Sequence, residues 1–276
     1  MQEKQTKVSK LSKAELKVLK IGGSVITDKN GELAPRTGEI ARLTKEIQES
    51  NVKRLIIVHG GGSFGHPPAE KYAIKDGFKE DSQKIGFSET HHVMTMLNGL
   101  LMDSLIWHEV PAVSVTPSSC IITESGRIKH FEDSAIRALL NMDFIPVLYG
   151  DAVVDSKLGF TILSGDQLVS TLAMRLNAER IIFGVDVDGI YDADPKIEKT
   201  AKLFKHLNRE ELERLQSKFC KPTVRDVTGG MFGKIVELLP AVESGIPVTI
   251  MNATKPGNIC RVLEGKPVQG TIVGKD

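Results

Sequence analysis

Three glycine-bearing segments punctuate the 276-residue chain, and lysines stand close to them. Lys20 precedes Gly22-Gly23-Ser24, and Lys29 follows a few positions on. Gly60-Gly61-Gly62 follows the apolar run that begins at Leu55, and Gly229-Gly230 lies ahead of Gly233-Lys234. Glycine lets a ligand approach backbone N–H groups closely, and a helix N-terminus adds partial positive charge. Together they make anion sites suited to phosphate. Any one such segment could simply end a strand. Three of them, with Lys20, Lys29 and Lys234 at hand, point to phosphoryl transfer, in which the protein mainly positions and neutralises. Loss of one such donor typically costs about 3–4 kcal/mol of transition-state stabilisation.

Two familiar phosphate signatures are excluded. Gly60, Gly62 and Gly65 spell G-x-G-x-x-G after a strand, the dinucleotide fingerprint. That fingerprint also wants a second strand ending in an acidic residue about 20 positions later, and the charged, glycine-broken stretch from Asp76 to Ser88 does not supply one. A Walker A loop is absent as well, since Ile235 follows Lys234 and Thr228 stands where its first glycine belongs.

Histidines divide by position. His66 ends "GGSFGH" and is followed by Pro67. It reads either as the cap of a helix that Pro67 begins, proline being favoured in a first turn, or as a directed donor to a phosphate, whose dianion its charge can answer. His59 ends a strand and reads as core. His91 and His92 are adjacent on a helix, so they face different directions and do not suggest a metal pair.

These residues need a frame, and the chain supplies alternating strand and helix patterns. "LKVLKIGG", "RLIIVHG", "PAVSVTP", "FIPVLYGD" and "RIIFGVD" read as strands, with "PVTIMN" and "GTIV" as late ones. Helical spacing appears within Thr37–Glu49, over Gln83–Trp107 and at Asp133–Asn141. "CIITESGRIKHF" predicts a hairpin turning at Ser125-Gly126, and "AVVDSKLGFTIL" a second hairpin. Ser164, with Gln167 three residues on, has the spacing of a capping box at a helix start. Such alternation implies an α/β fold with a mainly parallel sheet covered on both faces, and ligands then bind beyond the carboxyl ends of the strands.

Bulk properties narrow the class. Hydrophobic residues make up 41% and charged residues 26%, and the net charge is +1. Nothing in that balance argues for nucleic acid or a membrane as partner, and no apolar run approaches the ~18 residues of a membrane span. The odd, scattered Cys120, Cys220 and Cys260 suggest a reducing, cytoplasmic setting. Residues 1–15, rich in lysine, read as a flexible N-terminal extension.

Taken together, "LKIGGSVITDK", "VHGGGSFGH", "YGD", "SGDQL", "GVDVDGIYDADP" and "VTGGMFGK" resemble the amino acid kinase superfamily and, within it, the isopentenyl phosphate kinases. The likeness runs from about Leu16 to Val273. It implies a three-layer αβα sandwich, usually a homodimer, with an acceptor lobe over residues 16–163 and an ATP lobe over 164–276. It also implies roles. Lys20, Gly22, Gly23 and Ser24 match a phosphate-cradling motif, and Lys29 a lysine that stabilises the transferring group. Gly61 and Gly150 match acceptor contacts, and Gly62 a nucleotide contact. His66 matches the histidine that binds the acceptor's own phosphate, and Asp166 a carboxylate that orients the lysines. Asp186 matches a nucleotide position, and Tyr191, Asp192, Asp194, Pro195 and Lys196 form the loop around adenine and ribose. Gly230 and Lys234 match the closing nucleotide motif. Gly184 departs from relatives that carry threonine before the "DVDG".

The implied co-substrate is ATP with Mg²⁺, with no dedicated metal ligands, and the implied acceptor is isopentenyl phosphate. The acceptor assignment has its own physical support. An amino acid acceptor wants a fixed partner for its carboxylate, often a bidentate arginine, and no arginine occurs between Arg54 and Arg127. Ile85, Phe87 and Met94 could instead wall an apolar pocket, although most of that helix's stripe is core. Burying a five-carbon tail is worth up to roughly 4 kcal/mol. A kinase for another small phosphate or phosphonate such as fosfomycin, and a nucleotide-binding regulator without turnover, are the alternatives.

Overall fold

The computed structural model describes residues 15–193, 195, 197–219 and 229–274. Its strands are β1 (Lys17–Ile21), β2 (Leu55–His59), β3 (Ala112–Ser114), β4 (Ile121–Glu124), β5 (Arg127–Phe131), β6 (Ile145–Tyr149), β7 (Asp151–Asp155), β8 (Gly159–Leu163), β9 (Arg180–Val185), β10 (His206–Leu207), β11 (Val248–Asn252) and β12 (Gly270–Val273). Its helices are α1 (Gly23–Ile26), α2 (Thr37–Glu49), α3 (Gly62–Lys71), α4 (Ser82–Trp107), α5 (Ser134–Asn141), α6 (Gly165–Arg175), α7 (Arg209–Phe219), α8 (Gly229–Glu243) and α9 (Asn258–Leu263).

Eight strands form one sheet in the order β10-β12-β11-β9-β1-β2-β6-β3. From β11 to β3 all neighbours pair parallel, and β12 pairs antiparallel to β11. Period-two alternation splits the strand residues between two apolar cores. Val18, Ile56, Val58 and Phe183 join Leu168, Leu172, Leu238 and Ala241 of α6 and α8 on one face. Leu19, Ile21, Leu55 and Ile57 join Leu43, Leu97 and Ile259 of α2, α4 and α9 on the other. This is the expected αβα sandwich, and both halves of the chain contribute strands to its one large sheet. The same alternation puts Lys20, two residues after Val18, on the α6 and α8 face.

The two predicted hairpins form a second sheet, β5-β4-β7-β8. Ser125 (φ 51°) and Gly126 (φ 78°) make the first turn, both in the left-handed region that two-residue hairpin turns demand. Asp155 accepts N–H groups from Ser125 (3.0 Å) and Gly126 (2.8 Å) and a hydroxyl from Thr123 (2.8 Å). Burial would raise its carboxyl, but the N–H groups of Gly126, Leu158 and Lys157 and the Thr123 hydroxyl prevail and hold it well below the usual carboxylate range.

Helix α6 starts as expected, with Ser164 Oγ accepting the Asp166 N–H at 3.1 Å. Gln167, however, does not return to the cap. It accepts the Ile128 N–H (2.8 Å) and donates to the Gly126 carbonyl (3.0 Å), because the hairpin offers main-chain groups that need partners. The hairpin therefore braces the turn that carries Asp166.

Helix α3 decides against the cap reading of His66. It begins at Gly62, inside the glycine loop, so His66 is its fifth residue and no cap. Pro67 and Pro68 lie within it. Neither has an N–H to give the carbonyl four residues back. The strand β10 and helix α7 fall in a segment that reads only as polar. A two-residue strand shows no period, and "REELERLQSKF" carries little apolar signal.

Candidate active site

Beyond the carboxyl ends of β1, β2, β6 and β9 opens a cleft of about 720 Å³. Lys20 enters it from β1 and is 2% exposed. Its ammonium pairs with Asp166 from the first turn of α6 and lies 4.5 Å from the centre of the Phe183 ring. Lys234, near the start of α8, reaches the other Asp166 oxygen at 3.3 Å. Burial draws the Lys20 ammonium below its ordinary value, against the pull of Asp166. Burial would raise the Asp166 carboxyl, but Lys20 and Lys234 together leave it below the ordinary value, hence ionised.

Opposite stand the two glycine loops. A β-carbon on Gly23 would lie 2.3 Å from the Gly62 nitrogen, so the two turns touch backbone to backbone. Gly62 itself has φ 49°, and a β-carbon there would lie 2.0 Å from Thr27 Oγ1. Only glycine fits either position. Gly22 donates to the Gly184 carbonyl (2.8 Å) and Gly60 to that of Ile21 (3.0 Å), which locks both turns to the sheet. Lys29, on the loop between α1 and α2, lies 3.5 Å from Asp186 and is 63% exposed.

His66 lines the same cleft from α3. Its ring offers surface to solvent, yet the crowded walls desolvate it enough to lower its pKa, and Lys234 adds to the effect. The same lining includes the apolar side chains of Pro67, Met94, Ile162 and Leu163. Among the described residues, no arginine lines the cleft. Asp151, also of the lining and fully buried, lies 2.9 Å from His91 Nδ1 and accepts the Ser118 N–H at 3.2 Å. Burial pushes its carboxyl up, against His91 and Ser118.

Of the residues singled out from the sequence, Lys20, Gly22, Gly23, Ser24, Lys29, Gly61, Gly62, His66, Met94, Gly150, Asp166, Asp186, Tyr191, Pro195 and Lys234 all line this one cleft. Ile85 does not: it is 66% exposed, and Ile162 stands in the apolar lining instead. Phe87 packs against Phe160, with ring centres 5.2 Å apart, in the small cluster that Ile162 also joins. Asp192 turns its carboxylate to the Lys202 N–H (2.7 Å) rather than into the cleft. Gly230 is in the first turn of α8. Asp194 and Lys196 lie outside the described residues. His59 is core, as expected, stacked on Tyr149 with ring centres 5.3 Å apart. Asp151 was not legible as a lining residue, although its place directly after Gly150 at a strand start was a signal.

The arrangement can hold two anions side by side, one at the lysines and one at His66. Among the described residues, no three His, Cys, Asp or Glu side chains gather to hold a metal ion. Mg²⁺ typically keeps several waters and binds through one or two carboxylates plus substrate phosphates. Asp186, a quarter exposed beside Lys29, is a carboxylate of the cleft suited to a hydrated ion carried in by a nucleotide.

Comparison with known proteins agrees. The sequence pattern of the amino acid kinase family matches residues 15–252. Isopentenyl phosphate kinase of Methanothermobacter thermautotrophicus is 42% identical over 94% of this chain and 99% of its own length. The Arabidopsis thaliana protein of that name is 34% identical over 79% of this chain and 71% of its own. Among solved structures, an isopentenyl phosphate kinase superposes with a TM-score of 0.83 at 39% identity, covering 94% of this chain and 99% of that one. UMP kinase from Ureaplasma parvum, at 22% identity and a TM-score of 0.67, covers 96% of this chain and 100% of that one and shares the fold.

Proposed function

The chain belongs to the amino acid kinase family, and from that premise we propose that it transfers the γ-phosphoryl group of ATP to isopentenyl phosphate, giving isopentenyl diphosphate and ADP. The observation that carries the reading is the make-up of one cleft: Lys20, Lys29 and Lys234 share its lining with His66, Met94 and Ile162. A nucleotide triphosphate suits the lysines. A small phosphate with a short hydrocarbon tail suits the histidine and the apolar side chains. The relatives named isopentenyl phosphate kinase support the same choice.

The chemistry is in-line displacement. An oxygen of the acceptor phosphate attacks the γ-phosphorus, the bond to the β,γ-bridging oxygen breaks, and ADP leaves. The nucleophile is already an anion, so no general base is required. The obstacle is repulsion between two anions, and preorganised donors offset it. In this reading Lys20 and Lys234 neutralise the nucleotide phosphates, with Asp166 fixing the distance between them. Lys29 meets the transferring group, and the Gly22–Ser24 and Gly60–Gly62 amides cradle oxygens on both substrates. His66 grips the acceptor phosphate, beside Gly61 and Gly150. Residues 16–163 then form the acceptor lobe and 164–276 the ATP lobe, with Tyr191 and Pro195 walling the nucleotide.

A homodimer is part of the proposal. Helix α4 carries Ile85, Met96, Leu100 and Trp107 on one stripe, between 37% and 83% exposed. Exposed apolar side chains gathered on one face of a helix suit a partner surface. Cytoplasmic residence accords with the unpaired thiols Cys120 and Cys260, and no described helix is long and apolar enough to cross a membrane.

An ADP-release assay with MgATP and, separately, isopentenyl phosphate, dimethylallyl phosphate and fosfomycin tests the assignment. Turnover is expected fastest with isopentenyl phosphate. Faster turnover with fosfomycin, or ATP binding without release for any acceptor, would overturn it.

A further inference from the structure

The loop that carries Lys29 is tied at both ends to a single residue of the His66 helix. Thr27 and Pro35 pair across its neck. The Ser63 N–H donates to Thr27 Oγ1 at 3.0 Å. The Ser63 hydroxyl accepts the Ala34 N–H at 3.4 Å, and its carbonyl accepts the Leu33 N–H at 3.3 Å. Thr27 Oγ1 in turn donates to the Gly23 carbonyl at 2.8 Å, so one buried hydroxyl joins both glycine turns.

The tether depends on a missing hydrogen. In a regular helix the Ser63 carbonyl would take the N–H of the residue four positions on. That residue is Pro67, which has none. The carbonyl is left open, and Leu33 fills it. Leu33 has φ 46°, a conformation that a bulky L-residue keeps only where its surroundings hold it. Two successive prolines inside a ten-residue helix thus gain a local reason: they keep the helix from closing on itself where the loop must dock.

We propose that Pro67, Ser63 and Thr27 are positioning residues for Lys29, holding its loop in fixed register against the helix that presents His66. The inference rests on the role given to Lys29 above. Its consequence is that the lysine at the transferring group and the histidine at the acceptor move as one unit.

The test compares Pro67→Ala, Thr27→Val and Thr27→Ser with the parent enzyme by hydrogen–deuterium exchange and steady-state kinetics. Pro67→Ala restores an N–H that competes with Leu33 for the Ser63 carbonyl. Exchange across residues 28–35 should rise about tenfold, the scale of one lost hydrogen bond. The kcat should fall about tenfold with KM for ATP unchanged. The melting temperature should hold or rise, because alanine suits a helix interior far better than proline. Thr27→Val should reproduce the exchange and the kcat loss, and Thr27→Ser, which keeps the hydroxyl, should restore both. Unchanged exchange in both Pro67→Ala and Thr27→Val would overturn the inference whatever the turnover. So would a slowed enzyme whose KM for ATP rises in step, the sign of general loosening. Full turnover by Lys29→Ala would instead overturn the role of Lys29 itself, even where exchange rises as expected.

Discussion

Lys234 Nζ lies 3.3 Å from one oxygen of Asp166, while Lys20 holds the other. Two cations from opposite ends of the chain are thus spaced by one carboxylate. Asp166→Asn should lower kcat by about 10²–10³, the effect of losing one preorganised charge contact. It should also lower stability, because removing one partner strands a buried charge. Parallel kinetics and thermal melts check both. A variant that melts low but turns over normally would assign Asp166 to folding alone.

Lys29 is exposed and, among the described residues, pairs with a carboxylate at 3.5 Å, so its loss should not disturb the fold. Lys29→Ala is expected to cut kcat by about 10²–10³ with KM for ATP nearly unchanged. Circular dichroism should match the parent.

His66→Ala should raise KM for isopentenyl phosphate by about tenfold or more, the worth of a hydrogen bond to a charged group. KM for ATP should change little. Equal rises for both substrates would count against an acceptor-side role.

His59 gives a pH signature. Burial, and to a lesser degree Lys20, lowers its pKa from 6.5 to about 4, against bonds to Gly60 and Asn98. The unfolded chain therefore takes up the proton first as pH falls. Stability should be full above pH 6.5 and drain away between 6.5 and about 4. The loss is roughly 3 kcal/mol at ~1.4 per pKa unit. Urea unfolding at several pH values measures it. His59→Phe, which keeps a ring against Tyr149, should flatten the slope in that window.

The α4 stripe predicts the oligomeric state. Sedimentation should give twice the 30.2 kDa chain mass. Leu100→Asp with Trp107→Asp should shift the protein to monomer, since two buried charges at an apolar contact lack partners.

Much of this was legible in the sequence because the relevant signals are local. The strand runs placed Lys20 and Gly22 at the mouth of a parallel sheet. Ser164 announced the turn that bears Asp166, and Ser125-Gly126 announced a hairpin. What stayed hidden depends on contacts distant along the chain. Ile85 and Met94 looked alike by composition, and only packing separates the exposed side chain from the lining one. Gln167 fitted a capping box until the hairpin, some forty residues earlier, claimed its amide. Pro67 looked like a helix start because the glycines before it conceal that the helix has already begun. Thr27 gave no pattern at all, since its partner Ser63 is 36 residues away.

The contact between Gly23 and Gly62 has a bearing on catalysis. Side chains swing, but two peptide planes pressed together do not. Under the proposed roles, the gap across which phosphorus must travel is therefore ruled by main-chain covalent geometry. Even one added methyl at either glycine would wedge that ruler open and lengthen the jump for every acceptor alike.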